Sequence, residues 1–137
     1  MKESSILSSG IEVIIPSSGE TSEDIARASA IEEQGVILGG DLNIITPMNS
    51  LNSIFLALTI SNGEQKKELM KRAQGNSVVH LYNSDLKVIT IFYPSIEEQA
   101  KIGHFFKQLD KTITLQEQAL SKLQQLKQSL LQKMFVN

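Results

Sequence analysis

The side chains able to do chemistry are few and scattered. The two histidines, His80 and His104, fall in separate segments, and neither has a second histidine at helical spacing, so a metal site is not expected. There is no cysteine, which excludes disulfides and thiolate metal ligands and fits a reducing compartment. Ser17-Ser18-Gly19-Glu20 lacks the Gly-x-Ser-x-Gly spacing of a nucleophile elbow. No Gly-x-x-x-x-Gly-Lys-Ser/Thr loop is present to cradle a triphosphate, and no Gly-x-Gly-x-x-Gly opens a helix. Gly39-Gly40-Asp41 could touch a phosphate but reads first as a plain turn, and Glu32-Glu33 as a solvated pair. Catalysis therefore has little to rest on.

Charge is unevenly spread. Residues 1–93 carry eleven acidic and seven basic side chains, net −4, whereas residues 94–137 carry four acidic and six basic, net +2. The front part is thus not a generic basic nucleic-acid binder, and its main basic cluster is Lys66, Lys67, Lys71 and Arg72. The apolar fraction of 41% is ordinary for a soluble chain of 137 residues, which is enough for one modest domain and an extension. Met1 to Ser9 has no signal-peptide pattern, and no apolar run approaches the length needed to cross a bilayer.

The elements that would position these groups divide at residue 93. From Ser95 to Met134 one helical pattern runs without a proline, which corresponds to a helix about 60 Å long. Pro94 ends the preceding segment, and Ser95 with Glu98 forms a Ser-x-x-Glu capping box. Glu97 and Glu98 lie at the positive end of the helix dipole, Lys127 and Lys133 near the negative end. The apolar stripe is two rows spaced by seven: Ile102, Leu109, Gln116, Leu123, Leu130 and Phe106, Ile113, Leu120, Lys127, Met134. Eight of these ten positions are apolar, the pattern of a coiled-coil seam, and Gln116 and Lys127 are the polar interruptions that set register. Leu115, Leu126 and Leu131 widen the stripe. The competing reading, a helix folded back on its own domain, is disfavoured because 93 residues hardly cover 60 Å. Gly103 is expected at a kink or a close approach to the front part.

The front part reads as a small α+β domain of short pieces, 1–93. Ile11–Ile15 is expected as a strand, Pro16–Gly19 as a loop, and Thr21 as the cap of a short helix through Asp24 and Ile25. Gly35–Leu38 reads as a buried strand and Leu42–Ile45 as the next. Asn49–Ile60 reads as a helix with an apolar face of Leu51, Ile54, Phe55 and Leu58, and Gly63–Gln74 as a second helix closed by Gly75. Ser77–Leu81 and Leu86–Tyr93 read as strands joined by a turn over Tyr82–Asp85.

Several of these residues resemble a known family. Pro94-Ser-Ile-Glu-Glu-Gln99, Lys101-Ile-Gly103, Phe105-Phe106, Leu109-Asp110, Ile113 and Leu126-Lys-Gln-Ser-Leu-Leu-Gln-Lys-Met-Phe135 closely resemble the specificity subunit of type I restriction–modification systems. Pro16-Ser-Ser-Gly-Glu-Thr21, Glu23-Asp-Ile-Ala26, Gly39-Gly-Asp-Leu42 and Gly75-Asn-Ser-Val-Val-His80 extend the likeness over nearly the whole chain. The resemblance implies a target-recognition domain followed by the spacer helix, here 94–137. It also implies a non-catalytic chain with no cofactor, cytoplasmic, in which methylation belongs to a modification subunit and ATP-driven translocation and cleavage to a restriction subunit. A full subunit carries two recognition domains on antiparallel spacer helices, each reading one half of a split double-stranded DNA site. Family domains carry further strands ahead of the Ser-Ser-Gly segment that Met1–Gly10 does not supply, so a truncated subunit is expected, with its independent DNA reading weakened.

The candidate DNA contacts follow from residue chemistry placed by that resemblance. Ser17, Ser18, Gly19, Glu20 and Thr21 offer hydroxyls and backbone amides suited to phosphate and a carboxylate suited to a cytosine amino group; the alternative is a helix-capping turn. Lys66, Lys67, Lys71 and Arg72 could meet phosphates, Lys67 and Lys71 sharing a face, or could form a solvated surface. Asn76 and Ser77 could reach a base edge or hold a turn, and His80 could read a base or be structural.

Two functions follow. The first is a DNA-recognition fragment forming a homodimer, or pairing with another specificity chain, through Ile102, Phe106, Leu109, Ile113, Gln116, Leu120, Leu123, Lys127, Leu130 and Met134. The second is a scaffold whose helix binds modification or specificity subunits without reading DNA.

Overall fold

The structure, a computed structural model, describes residues 5–75 and 77–135. Asn76, one of the expected DNA contacts, lies outside the described residues. The elements are β1 (Ile6–Ser9), β2 (Val13–Pro16), β3 (Ser18–Gly19), α1 (Ser22–Ile25), β4 (Ser29–Ala30), β5 (Gln34–Leu38), β6 (Leu42–Ile45), α2 (Ser53–Asn62), α3 (Glu64–Arg72), β7 (Val79–His80), α4 (Asn83–Leu86) and α5 (Ile96–Met134). The fold is mixed α+β, with short antiparallel strands, several short helices and one long carboxy-terminal helix.

The central sheet has strand order β4-β2-β6, and β2 is its spine. Val13 and Ile15 are fully buried while Ile14 and Pro16 are half-buried, the period-two alternation of a strand with one covered face. The register Val13↔Ile45 through Pro16↔Leu42 brings the turn before β6 beside the residue after β2. Two smaller sheets pair β1 with β5 and β3 with β7.

Against the sheet pack Leu56, Ala57 and Ile60 of α2, with Leu69 of α3, Ile25 of α1 and Leu81 completing the core. Helix α2 starts where the Asn52 side chain accepts from the Phe55 N–H at 3.0 Å and stops at Gly63. Its buried residues are Phe55, Leu56, Ala57 and Ile60, so the expected face is corrected: Leu51 precedes the helix, and Ile54 and Leu58 are only half-buried. The helix is covered on two sides, and a single-stripe reading misses that.

Four other expectations change. Strand β5 is exposed from Gln34 to Ile37 and buried only at Leu38, because its sheet contains just one other strand, β1. Helix α3 ends one residue before Ala73, which is extended, rather than running to Gln74. Gly75 comes after the helix has stopped. It has a φ of +140°, and a Cβ there would collide with the Val78 carbonyl oxygen, so glycine alone fits. The strand expected from Ser77 to Leu81 shrinks to Val79–His80, and that expected over Leu86–Tyr93 is not formed. Instead the Asp85 carboxylate accepts from the Tyr82 N–H at 2.9 Å and starts α4. Ile89 and Ile91 then reach the core from irregular backbone, and the Thr90 carbonyl accepts from the Gln65 side chain at 3.1 Å.

Helix α5 begins at the cap read from sequence, the Ser95 hydroxyl accepting from the Glu98 N–H at 3.3 Å. Only Gln99 and Gly103 are buried within it. The chain divides into two units, Met1–Gly103 and His104–Asn137. In the second, every described residue is exposed. No described helix is long and apolar enough to cross a membrane.

Candidate nucleic-acid interface

Strand β3 pairs with β7, Ser18 opposite His80 and Gly19 opposite Val79. The pairing continues past β3, the Ser17 carbonyl accepting from the Leu81 N–H at 2.9 Å. Gly19 is required there, since a Cβ would meet Ile25 Cγ2 at 2.5 Å. The two-residue ladder thus joins the Ser17–Thr21 segment to His80, which lie some sixty positions apart in the chain.

Asp41 occupies the middle of this group. The Ser17 hydroxyl donates to its carboxylate at 2.6 Å, and the Ser18 hydroxyl donates to both oxygens, at 3.0 and 2.8 Å. The Ser17 N–H donates to the Asp41 carbonyl at 3.2 Å. These hydroxyls, Ser17 first, hold the Asp41 carboxyl below the usual carboxylate range, and the nearby His80 adds to the effect. Of the backbone amides offered to phosphate, that of Ser17 is therefore engaged. Thr21 caps α1: its hydroxyl and N–H both donate to the Asp24 carboxylate, at 2.6 and 3.1 Å, and its oxygen accepts from the Asp24 N–H at 3.1 Å. Glu20 between them is exposed.

His80 is exposed and stacks on Tyr82, with ring centroids 6.1 Å apart and planes 12° from parallel. Its backbone exchanges two hydrogen bonds with Gln74, of 2.7 and 3.1 Å. Ser77, in the bend before β7, is exposed.

The basic side chains of α3 separate. Lys66 reaches Glu23 of α1 at 3.8 Å, and so belongs with the Ser17–Thr21 segment. Lys67 pairs with Glu64 at 2.9 Å, and Arg72 with Glu68 at 3.3 Å. Among the described residues Lys71 has no ion pair. The Lys67 ammonium, followed by that of Lys71, keeps the Glu64 carboxyl below its ordinary range. Surface pairs of this kind contribute about 0–1 kcal/mol, so a phosphate could replace the carboxylate partner at little cost.

Sequence reasoning missed Asp41, Gln74 and Tyr82 as members of this group. Tyr82 had a signal, because residues two apart in extended chain share a face. Asp41 was read only as part of the Gly39-Gly40-Asp41 turn, since only the long-range register of β2 with β6 carries it to Ser17. Among the described residues no group of three His, Asp or Glu gathers to hold a metal ion.

The exposed polar cluster therefore spans two strands, with basic residues on the neighbouring α3. Comparison with curated proteins finds no match. Comparison with protein families matches residues 2–125 to the type I restriction modification DNA specificity domain. A match over most of the chain establishes membership: the protein belongs to the type I restriction modification DNA specificity family, and its role is sequence specificity toward DNA in those systems.

Proposed function

We propose that this chain is a non-catalytic recognition half-subunit of a type I restriction–modification complex that assembles through α5. The observation that carries the reading is the exposure of the seam. Phe106, Leu109, Ile113, Leu120, Leu123, Leu130 and Met134 repeat at heptad spacing and are all open to solvent, from 42% at Leu109 to 73% at Met134. Covering seven such side chains contributes on the order of 10–20 kcal/mol per chain before ordering costs. A second copy, lying antiparallel about a two-fold axis, would supply the cover and read the second half of a split, palindromic site. The chain then works in the cytoplasm with modification and restriction subunits. The Ser17–Thr21 segment, Ser77 and His80 are the proposed base-side contacts, and Lys66, Lys67, Lys71 and Arg72 the phosphate contacts.

Light scattering on a size-exclusion column tests the assembly. The wild-type chain is expected as a dimer and Leu123→Lys as a folded monomer. A wild-type monomer at micromolar concentration rejects helix pairing.

A second reading is a scaffold that binds specificity or modification subunits without touching DNA. It is favoured by the net −4 of residues 1–93 and by the carboxylate partners of Lys66, Lys67 and Arg72. Tight binding of a modification subunit with no retention of a duplex in a gel-shift assay would select it.

A further inference from the structure

We infer that Asp41 is a specificity-determining positioning residue: it takes the protons of the Ser17 and Ser18 hydroxyls and leaves them only as acceptors, so this surface reads a base with an exocyclic amino group. The inference rests on the proposed reading that this segment faces DNA, and deepens it.

An ionised carboxylate can only accept hydrogen bonds, and a serine hydroxyl has one proton to give. With the Ser17 hydroxyl 2.6 Å and the Ser18 hydroxyl 2.8 Å from Asp41 oxygens, both protons are committed to that carboxylate. What each hydroxyl has left are its lone pairs. The Ser17 N–H is also spent, on the Asp41 carbonyl at 3.2 Å. The neighbouring Glu20 and Glu23 add carboxylates to the same stretch. At these two hydroxyls the surface has acceptors where a phosphate would need donors, so phosphate is disfavoured at them. In the major groove the complementary groups are adenine N6 and cytosine N4, whereas guanine O6 and thymine O4 would set acceptor against acceptor.

Asp41 sets this polarity through the two hydroxyls whose protons it takes. Replacing its carboxylate with a carboxamide of the same shape changes one acceptor into a donor. One serine hydroxyl is then free to rotate outward as a donor and accept a keto base.

The test is selection of duplexes from a pool randomised across the site, using the 137-residue chain as wild type, Asp41→Asn and Ser18→Ala. Thermal unfolding of each is measured alongside. Wild type is expected to enrich adenine or cytosine at one strand position. Asp41→Asn is expected to lose about ten-fold of the discrimination there and admit guanine or thymine, with the other selected positions unchanged. Ser18→Ala, which leaves the Ser17 N–H bond to the Asp41 carbonyl in place, is expected to relax the same position. If both variants select the wild-type sequence, or bind all duplexes uniformly less well, the inference is overturned while DNA reading stands. If wild type selects no sequence, DNA reading by this segment fails and the inference falls with it.

Discussion

The side-chain oxygen of Gln99 accepts a 2.8 Å hydrogen bond from the backbone N–H of Asn52. The Gln99 amide nitrogen donates to the Ser50 and Pro94 carbonyls, at 3.0 and 2.9 Å. Gln99 is fully buried, so one carboxamide satisfies three backbone groups away from water. Asn52 in turn caps α2. The first turn of α5 and the start of α2 are thereby held by the same small polar cluster. Removing the amide, as in Gln99→Ala, leaves the Asn52 N–H and two carbonyls without partners. The expected loss is about 2–4 kcal/mol, read by urea unfolding followed through tyrosine fluorescence. A loss below about 0.5 kcal/mol would mean that water takes over these bonds.

One turn further on, Gly103 lies against Ile54. A Cβ at 103 would sit 3.2 Å from Ile54 Cγ2 and 3.4 Å from its Cβ. Alanine gains about 1 kcal/mol of helix propensity over glycine, and the tight contact takes much of that back. Gly103→Ala is therefore expected within about 1 kcal/mol of wild type, and Gly103→Leu to be less stable by about 1–3 kcal/mol through overpacking. Thermal melts of the two variants check the order, and equal stability would contradict the close approach.

Glu12 gives the fold a pH dependence. Its carboxylate accepts from the Ser9 hydroxyl and the Ser9, Gly10 and Ile11 N–H groups, and it is buried. These bonds, the Ser9 hydroxyl first, lower its pKa from 4.5 to about 2. A depressed carboxyl pKa contributes stability that is complete above the unfolded value and lost as pH falls through the folded one. The window is therefore pH 4.5 down to about 2. Melting temperatures of wild type and Glu12→Gln should differ most at pH 6–7 and converge across that window. A gap that stays constant down to pH 2 would show that the carboxylate charge is not what matters.

Lys67 and Lys71 stand four apart on α3 with exposed side chains. If both meet phosphates, Lys67→Gln and Lys71→Gln should weaken binding alike for every duplex, and each should flatten the plot of log affinity against log salt by about one unit. Affinity measured from low to moderate salt gives the slope. A change in which sequence is preferred would instead place these lysines at base edges.

Much of the backbone was legible because its signals are local. Thr21 and Asp24 form their capping box within four residues, and α1 follows at Ser22–Ile25 as read. Ser95 and Glu98 marked the start of α5, and the run of good helix formers after Pro94 carried it to Met134. Leu42–Ile45 fell where the preceding turn and following Pro47 required. The strand expected over Leu86–Tyr93 failed for an equally physical reason. Its apolar residues do reach the core, but a strand also needs a partner for its backbone, and alternation alone does not reveal whether one is present.

Family membership was carried by short motifs spread along the chain, and the heptad spacing of α5 by one continuous run, which is why residue types and their intervals sufficed for them. Which polar groups meet across segments depended on the tertiary structure. Ser17 reaches Asp41 over 24 positions and Asn52 reaches Gln99 over 47, through sheet register and helix packing. A hydroxyl in the sequence has no direction. Packing placed a carboxylate beside Ser17 and Ser18, and that proximity decided which way their protons point.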